Sequence, residues 1–311
     1  MTGNRLPSYL HGWGRACMVM LLLLAGAQAV SVQALADARG RVLPTGPVER
    51  IVTLGSDVTE IVDALGAAGR IVGVDKGSGY PAVMKRKPNV GYRRQLAVEG
   101  LAALDPDLIL AADDIGPPEA VDVLLSLGMP IVFIPQDNTA DGIQRKIALV
   151  SATLGLEEQG RRLSASVLQD FDRAAAIGAA VPESRRKKVV FFHGLVKLTA
   201  AGAGTAADAI IRQAGGINPM AVVQGYKAAS EEKLVEMAPD VVLMMGDGKG
   251  GPTADEVFAN RALAATPAGR NRALVVLDGA YMIGFGPRTA AAIRDLAQAL
   301  YPDAAQGRPG E

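Results

Sequence analysis

The sequence predicts an α/β fold made of two related lobes, each with short strands covered by helices. Three observations carry that expectation. Short apolar runs alternate with helix-spaced stretches, residues 139–177 show no strand signal, and the block after them repeats the block before.

In the first block, Ile51–Leu54 reads as a strand and Val58–Leu65 as a helix ending near Gly66. Ile71–Val74 is the next strand, Val98–Leu104 a helix and Leu108–Ala111 a third strand. Val121–Leu127 then reads as helix and Ile131–Ile134 as strand. Strands this short, separated by helices, favour a parallel, doubly wound sheet. From Thr139 to Ile177 there is no proline, and Ile143, Ile147, Val150, Leu154, Leu163, Val167 and Phe171 recur at helical spacing. One long connecting helix, or a close pair interrupted at Gly155, accounts for this.

Pro182 and the basic run Arg185–Lys188 mark a boundary, the run reading as a solvated turn before a strand. In the second block Val189–Phe192, Val241–Met245 and Leu274–Leu277 read as strands and Ala206–Gln213 as a helix. The final helix is expected from near Pro287 to Leu300, with Pro287 in its first turn. The repeat pairs the segment from Glu99 to Leu110 with that from Glu232 to Leu243. Each has a glutamate seven residues before a Pro-Asp pair, Pro106 or Pro239, that introduces a strand. The expected organisation is a leader over 1–36, a first lobe over 37–138, a helical link over 139–180 and a second lobe over 181–311. A ligand cleft between the lobes follows as the simplest arrangement.

Lys plus Arg and Asp plus Glu both number 32, so no basic field invites nucleic acid. The first 36 residues read as an export signal: Arg5 and Arg15, the short apolar run Met18–Ala27, then small-residue cleavage patterns ending at Ala29 and Ala36. The run is short for a bilayer span, which favours a removed signal over a permanent, uncleaved anchor. Removal of the leader takes Cys17 and His11 with it, leaving His193 as the one histidine and no cysteine. That excludes disulfides, thiolate chemistry and a zinc site of several histidines.

Several segments together resemble the periplasmic haem-binding proteins of ABC uptake systems. They are Gly55-Ser-Asp-Val-Thr-Glu, Val90-Gly-Tyr-Arg-Arg-Gln-Leu, Ala201-Gly-Ala-Gly-Thr, Gly225-Tyr-Lys and Gly284-Phe-Gly-Pro-Arg288, in the same order from about Arg50 to Leu300. The broader superfamily includes cobalamin and iron-siderophore binders, and the Gly-Tyr-x-Arg-Gln-Leu segment is what points to haem. The resemblance implies two Rossmann-like lobes joined by a rigid helix, and a periplasmic, monomeric, non-enzymatic protein. Haem would be its transported ligand, passed to a dimeric ABC permease with ATPase subunits.

Read by residue chemistry alone, Tyr92 is a loop tyrosine packed beside Gly91. The resemblance makes it the axial ligand of haem iron, a hard anionic oxygen suited to ferric iron. Arg94, two residues on, would share its face in an extended segment and support the phenolate. The family often carries methionine where this chain has Arg93, which implies a more cationic pocket. His193, at the end of the second lobe's first strand, is either a loop histidine or a second iron ligand. Tyr80, Tyr226 and Tyr281 are further cleft candidates, with packing as the default for each. The glycine-rich turn at 201–205 lacks a P-loop ending, and Thr205 reads as a helix cap. Glu99 and Glu232, matched in the repeat, are either first-turn acids or, as the resemblance implies, contacts to permease arginines. Two rival functions remain: a same-fold carrier of ferric siderophore or cobalamin, and a nucleotide-using Rossmann enzyme. The second lacks both a Gly-x-Gly-x-x-Gly turn after the first strand and any evident catalytic triad.

Overall fold

The computed structural model describes residues 36–246 and 250–302, so the leader expected over 1–36 lies outside it but for Ala36. In chain order the first half contains β1 (Ile51–Leu54), α1 (Ser56–Ala64), β2 (Ile71–Val74), β3 (Gly91–Tyr92), β4 (Gln95–Leu96), α2 (Val98–Ala102), β5 (Leu108–Ala112), α3 (Pro118–Ser126) and β6 (Ile131–Ile134). Two helices follow, α4 (Ala140–Thr153) and α5 (Glu157–Ala179). The second half contains β7 (Val189–His193), β8 (Thr199–Ala201), α6 (Ala206–Gln213), β9 (Tyr226–Ala228), α7 (Glu231–Met237) and β10 (Val241–Gly246). It ends with α8 (Ala254–Phe258), α9 (Arg261–Ala264), α10 (Pro267–Arg270), β11 (Leu274–Asp278), α11 (Gly279–Ile283) and α12 (Thr289–Leu300).

The first sheet runs β2-β1-β5-β6, parallel throughout. Every residue of β1, β5 and β6 is buried, as expected where helices cover both faces. The second sheet runs β11-β10-β7-β8-β9, and here the expected parallel pattern holds only for β11, β10 and β7. Strands β8 and β9 are antiparallel, three residues each, and too short to give an apolar run in the sequence.

The Pro-Asp repeat has a physical cause. Asp105 and Ala238, each directly before the proline, both take the left-handed conformation, at φ 44° and 42°, and so turn the chain toward the strand alike. The aspartates that follow the prolines tie adjacent strands at their starts. Asp107 accepts from the Arg50 N–H at 2.9 Å, just before β1, and Asp240 from the Lys188 N–H at 2.8 Å, just before β7. The same register results, Ile51 beside Leu108 and Val189 beside Val241.

Gly155 breaks the central helical stretch into a close pair, at φ +67°. Helix α5 buries Val167, Phe171, Ala174 and Gly178 and packs along α12. One apolar cluster therefore contains residues of both sheets together with α1, α4, α5, α6 and α12, while the outer face of each sheet has its own cluster. The link is thus a shared layer of the core. At the other end, Pro287 lies in the turn before α12, which begins at Thr289, so the proline is not in its first turn.

Two buried cations tie the elements together, one from the linking helix and one from the second half. Lys146 of α4 and Asp57 of α1 meet at 2.6 Å with both side chains 1% exposed, and the ammonium also donates to the Phe285 carbonyl at 3.2 Å. Arg288 makes a two-pronged contact with Glu60, 2.9 Å from Nε and 2.5 Å from Nη2. Burial opposes ionisation of Asp57, yet the Lys146 ammonium holds its carboxyl below the ordinary range. Burial pushes Glu60 up, and the Arg288 pair only partly offsets that.

Asp57→Asn should destabilise the protein by about 3–5 kcal/mol, because it leaves a buried ammonium unpaired. Replacing both partners, as Asp57→Leu with Lys146→Met, should recover most of that loss in urea denaturation. A carboxyl depressed in the folded state stabilises above its unfolded-state pKa, and that contribution is lost as pH falls through the folded one. The acid limb of stability against pH should accordingly be shallower in the double variant.

Candidate functional site

In parallel strands the loops at the carboxyl ends collect on one edge, where ligands bind in open α/β sheets. The segments that follow β1, β2, β5 and β6 carry Asp57 at the start of α1, Lys76 and Tyr92, Asp114, and Asn138 respectively. On the second sheet His193 ends β7, and Tyr281 lies on α11 directly after β11. The two edges approach one another: Lys146 bonds both Asp57 and the Phe285 carbonyl, and the Asn138 amide reaches the Gly204 carbonyl at 3.5 Å.

The loop after β2 is anchored from below. Asp75, 4% exposed, accepts from the Gly55 and Gly77 N–H groups at 3.0 Å and from the Ser78 hydroxyl. Thr59 lies 2.8 Å from Ser78 and 3.0 Å from the Gly55 carbonyl. Gly55 is required here, since it holds φ +137° and an added Cβ would stand 2.9 Å from an Asp57 oxygen. The Gly55-Ser-Asp-Val-Thr-Glu motif thus braces the loop that presents Tyr92.

Tyr92 sits on a two-strand hairpin, paired with Gln95, and is 52% exposed. The Lys76 N–H donates to the Gly91 carbonyl at 2.8 Å, and its ammonium lies over the Tyr92 ring, 4.6 Å from the centroid. Arg93 and Arg94 form the turn between the strands. Arg94 is therefore not in an extended segment beside Tyr92 as expected, because the chain reverses there. Both guanidiniums instead share Asp114, Arg93 at 3.0 Å and Arg94 in a closer contact. Burial pushes the Tyr226 hydroxyl up, and the Arg94 charge opposes that. Tyr226 is exposed on β9 and packs edge-on to Phe191 at 6.4 Å.

His193 ends β7, exposed, and lines a depression of about 330 Å³ with Phe192, Leu195, Met244, Met245 and Pro252. No hydrogen bond joins it to Tyr92. Tyr80 and Tyr281 are both engaged by Arg288, whose guanidinium lies 3.7 Å and 5.0 Å from their ring centres. The Tyr281 hydroxyl donates to Asp295 at 2.7 Å, and burial with that bond pushes it well above its ordinary value. Thr205 caps α6, accepting from the Asp208 N–H at 3.1 Å. Glu99 and Glu232 are exposed in the first turns of α2 and α7. Each helix leads back into a strand, which puts both glutamates toward the carboxyl edges of the sheets.

Lys76, Asp114, Glu60, Lys146 and Arg288 were not singled out by sequence reasoning. A faint signal existed for the second group, since Asp57 and Glu60 stand three apart on one helical face. Lys76 and Asp114 meet the hairpin only through tertiary contacts. Among the described residues, no three His, Cys, Asp or Glu side chains are grouped to hold a bare metal ion. No described helix is long and apolar enough to cross a membrane.

The chain matches the periplasmic binding protein family over residues 51–281. It is similar to the periplasmic haem-binding protein RhuT from Roseiflexus sp. RS-1, with 38% identity and a TM-score of 0.77 over 84% of this chain and 100% of that one. It is similar also to the periplasmic haem-binding protein BhuT in complex with two haems, with 36% identity and a TM-score of 0.76 over 84% and 100%. A cobalamin-binding protein of Halobacterium salinarum shares 30% identity over 70% of this chain, which spans 58% of that protein's length.

Proposed function

Since the chain belongs to the periplasmic binding protein family, we propose that it is an exported carrier that captures haem and delivers it to an ABC importer. The observation that carries this reading is Tyr92, half exposed among Lys76, Arg93 and Arg94 at the carboxyl edge of the first sheet. Ferric haem needs little from a protein: a hard anionic oxygen for iron, cations for two propionates and apolar walls for the ring. Tyr92 supplies the oxygen and the three cations favour both the phenolate and the propionates. Leu195 and Met245 offer apolar surface beside His193, which serves as a second ligand, either to the same haem or to a second one. The two-haem complex of BhuT supports the latter possibility. A corrinoid cargo is the alternative, favoured by the cobalamin-binding relative.

Glu99 and Glu232, exposed at matched helix starts, fit paired contacts to the basic surfaces of two permease subunits. The helix-start preference for acids explains each one singly and does not explain their common register. Export with removal of the leader completes the proposal. Asp37 is 6% exposed and accepts the Phe133 N–H at 3.1 Å, so the folded body includes the residue that follows the second cleavage pattern.

Titration with hemin should give a Soret band, and cyanocobalamin should not compete. Tyr92→Ala should abolish the charge-transfer bands of the phenolate, while Arg94→Ala weakens binding by about tenfold. His193→Ala should lower the haem-to-protein ratio or shift the Soret maximum, and no change in either would leave Tyr92 as the one protein ligand. Reversing Glu99 and Glu232 together to arginine should leave hemin titration intact and abolish uptake in reconstituted vesicles. Mass spectrometry of the secreted protein should place the amino terminus at Asp37, or at Val30 if the earlier pattern is used.

A further inference from the structure

Asp114 stands where one carboxylate serves two guanidiniums. Its Oδ2 accepts from Arg93 at 3.0 Å and from Arg94, while its buried Oδ1 makes no hydrogen bond among the described residues. The two arginines differ in how firmly they are held. The Arg93 side chain is 25% exposed and its carbonyl accepts from the Gly116 N–H at 2.9 Å, which ties it to the loop that carries Asp114. The Arg94 side chain is 68% exposed, and its charge is felt at Tyr226 on the other sheet.

We propose that Asp114 is a positioning residue that competes with the cargo for Arg94. In the empty protein it gives Arg94 a partner and holds the guanidinium at the hairpin. When haem binds, an oxygen anion takes Arg94 over, and Arg93 stays with Asp114. Two anions have the required chemistry: the Tyr92 phenolate formed on iron and a haem propionate. The exchange lowers affinity, because a bond already made must be given up, and it makes departure easier, because Arg94 has a partner to return to. This inference rests on haem being the cargo and Tyr92 its ligand.

The test is hemin titration of wild type, Asp114→Asn and Asp114→Glu, each repeated with hemin dimethyl ester, whose propionates carry no charge. Removing the competitor from a partly exposed pair should tighten hemin binding by about threefold to fivefold, and Asp114→Glu should restore wild-type affinity. A gain with hemin alone assigns the exchange to a propionate, and a gain with both porphyrins assigns it to the phenolate. Unchanged or weaker hemin binding by Asp114→Asn overturns the proposal. Arg94→Gln tests the same coupling from the other partner: in that background Asp114→Asn should add nothing, and a gain there equally overturns it. The cargo reading is judged separately, since its failure appears as no Soret band in the wild type, before any variant is made.

Discussion

Lys146 is an ammonium taken almost wholly out of water, and such a group persists in a core only with an anion and further acceptors around it. Asp57 supplies the anion and the Phe285 carbonyl the acceptor, while Gln136 adds a bond to the same Asp57 oxygen at 3.2 Å. These groups come from the first helix, the linking layer, the loop after β6 and the turn before the last helix. The pair therefore sets how the two sheets stand to one another. Arg288 and Glu60 repeat the tie one helical turn away, with Tyr80 and Tyr281 bracketing the guanidinium.

That constraint explains why the linking helices share the core. Their apolar stripe packs against α1 and α12, so one cluster runs through both halves. A wide hinge would have to open this cluster and break the Arg288–Glu60 pair and the Lys146 bond to the Phe285 carbonyl. Small adjustments of the rim are the cheaper motion, and the exposed hairpin of Tyr92, Arg93 and Arg94 lies on that rim. The hairpin is placed by backbone bonds to Lys76 and Gly116, while its side chains stay available to a ligand. A rigid body with adaptable edge side chains suits a carrier that must both hold and release its cargo.

Charge follows the same division. The deep carboxylates, Asp57 and Glu60, each meet one cation and serve the architecture. At the rim, Lys76, Arg93 and Arg94 gather about Tyr92 with Asp114 as the carboxylate that pairs with both arginines. An excess of positive charge beside an exposed phenol is a poor arrangement for packing and a good one for an anionic ligand with a ferric centre. Overall charge balance conceals this local excess.

The apolar runs by themselves determined β1, β2, β6 and the helix at Ala206–Gln213, because a strand covered on both faces is apolar along its length and a helix that covers it is apolar along one face. The repeat around Pro106 and Pro239 was also legible, since the turn needs proline and the strand start needs aspartate in both halves. Tyr92, His193, Glu99 and Glu232 are candidates that pattern and resemblance single out. Tertiary structure alone decided that Arg93 and Arg94 turn toward Asp114, that Lys76 covers Tyr92, and that Lys146 and Arg288 bind the halves together. It also decided the antiparallel strands β8 and β9, whose three-residue length leaves no periodic signal. The physical reason is common to all of these. Periodicity reports which face of an element is buried, whereas a charge finds its partner through space, across 89 positions for Lys146 and Asp57 and 228 for Arg288 and Glu60.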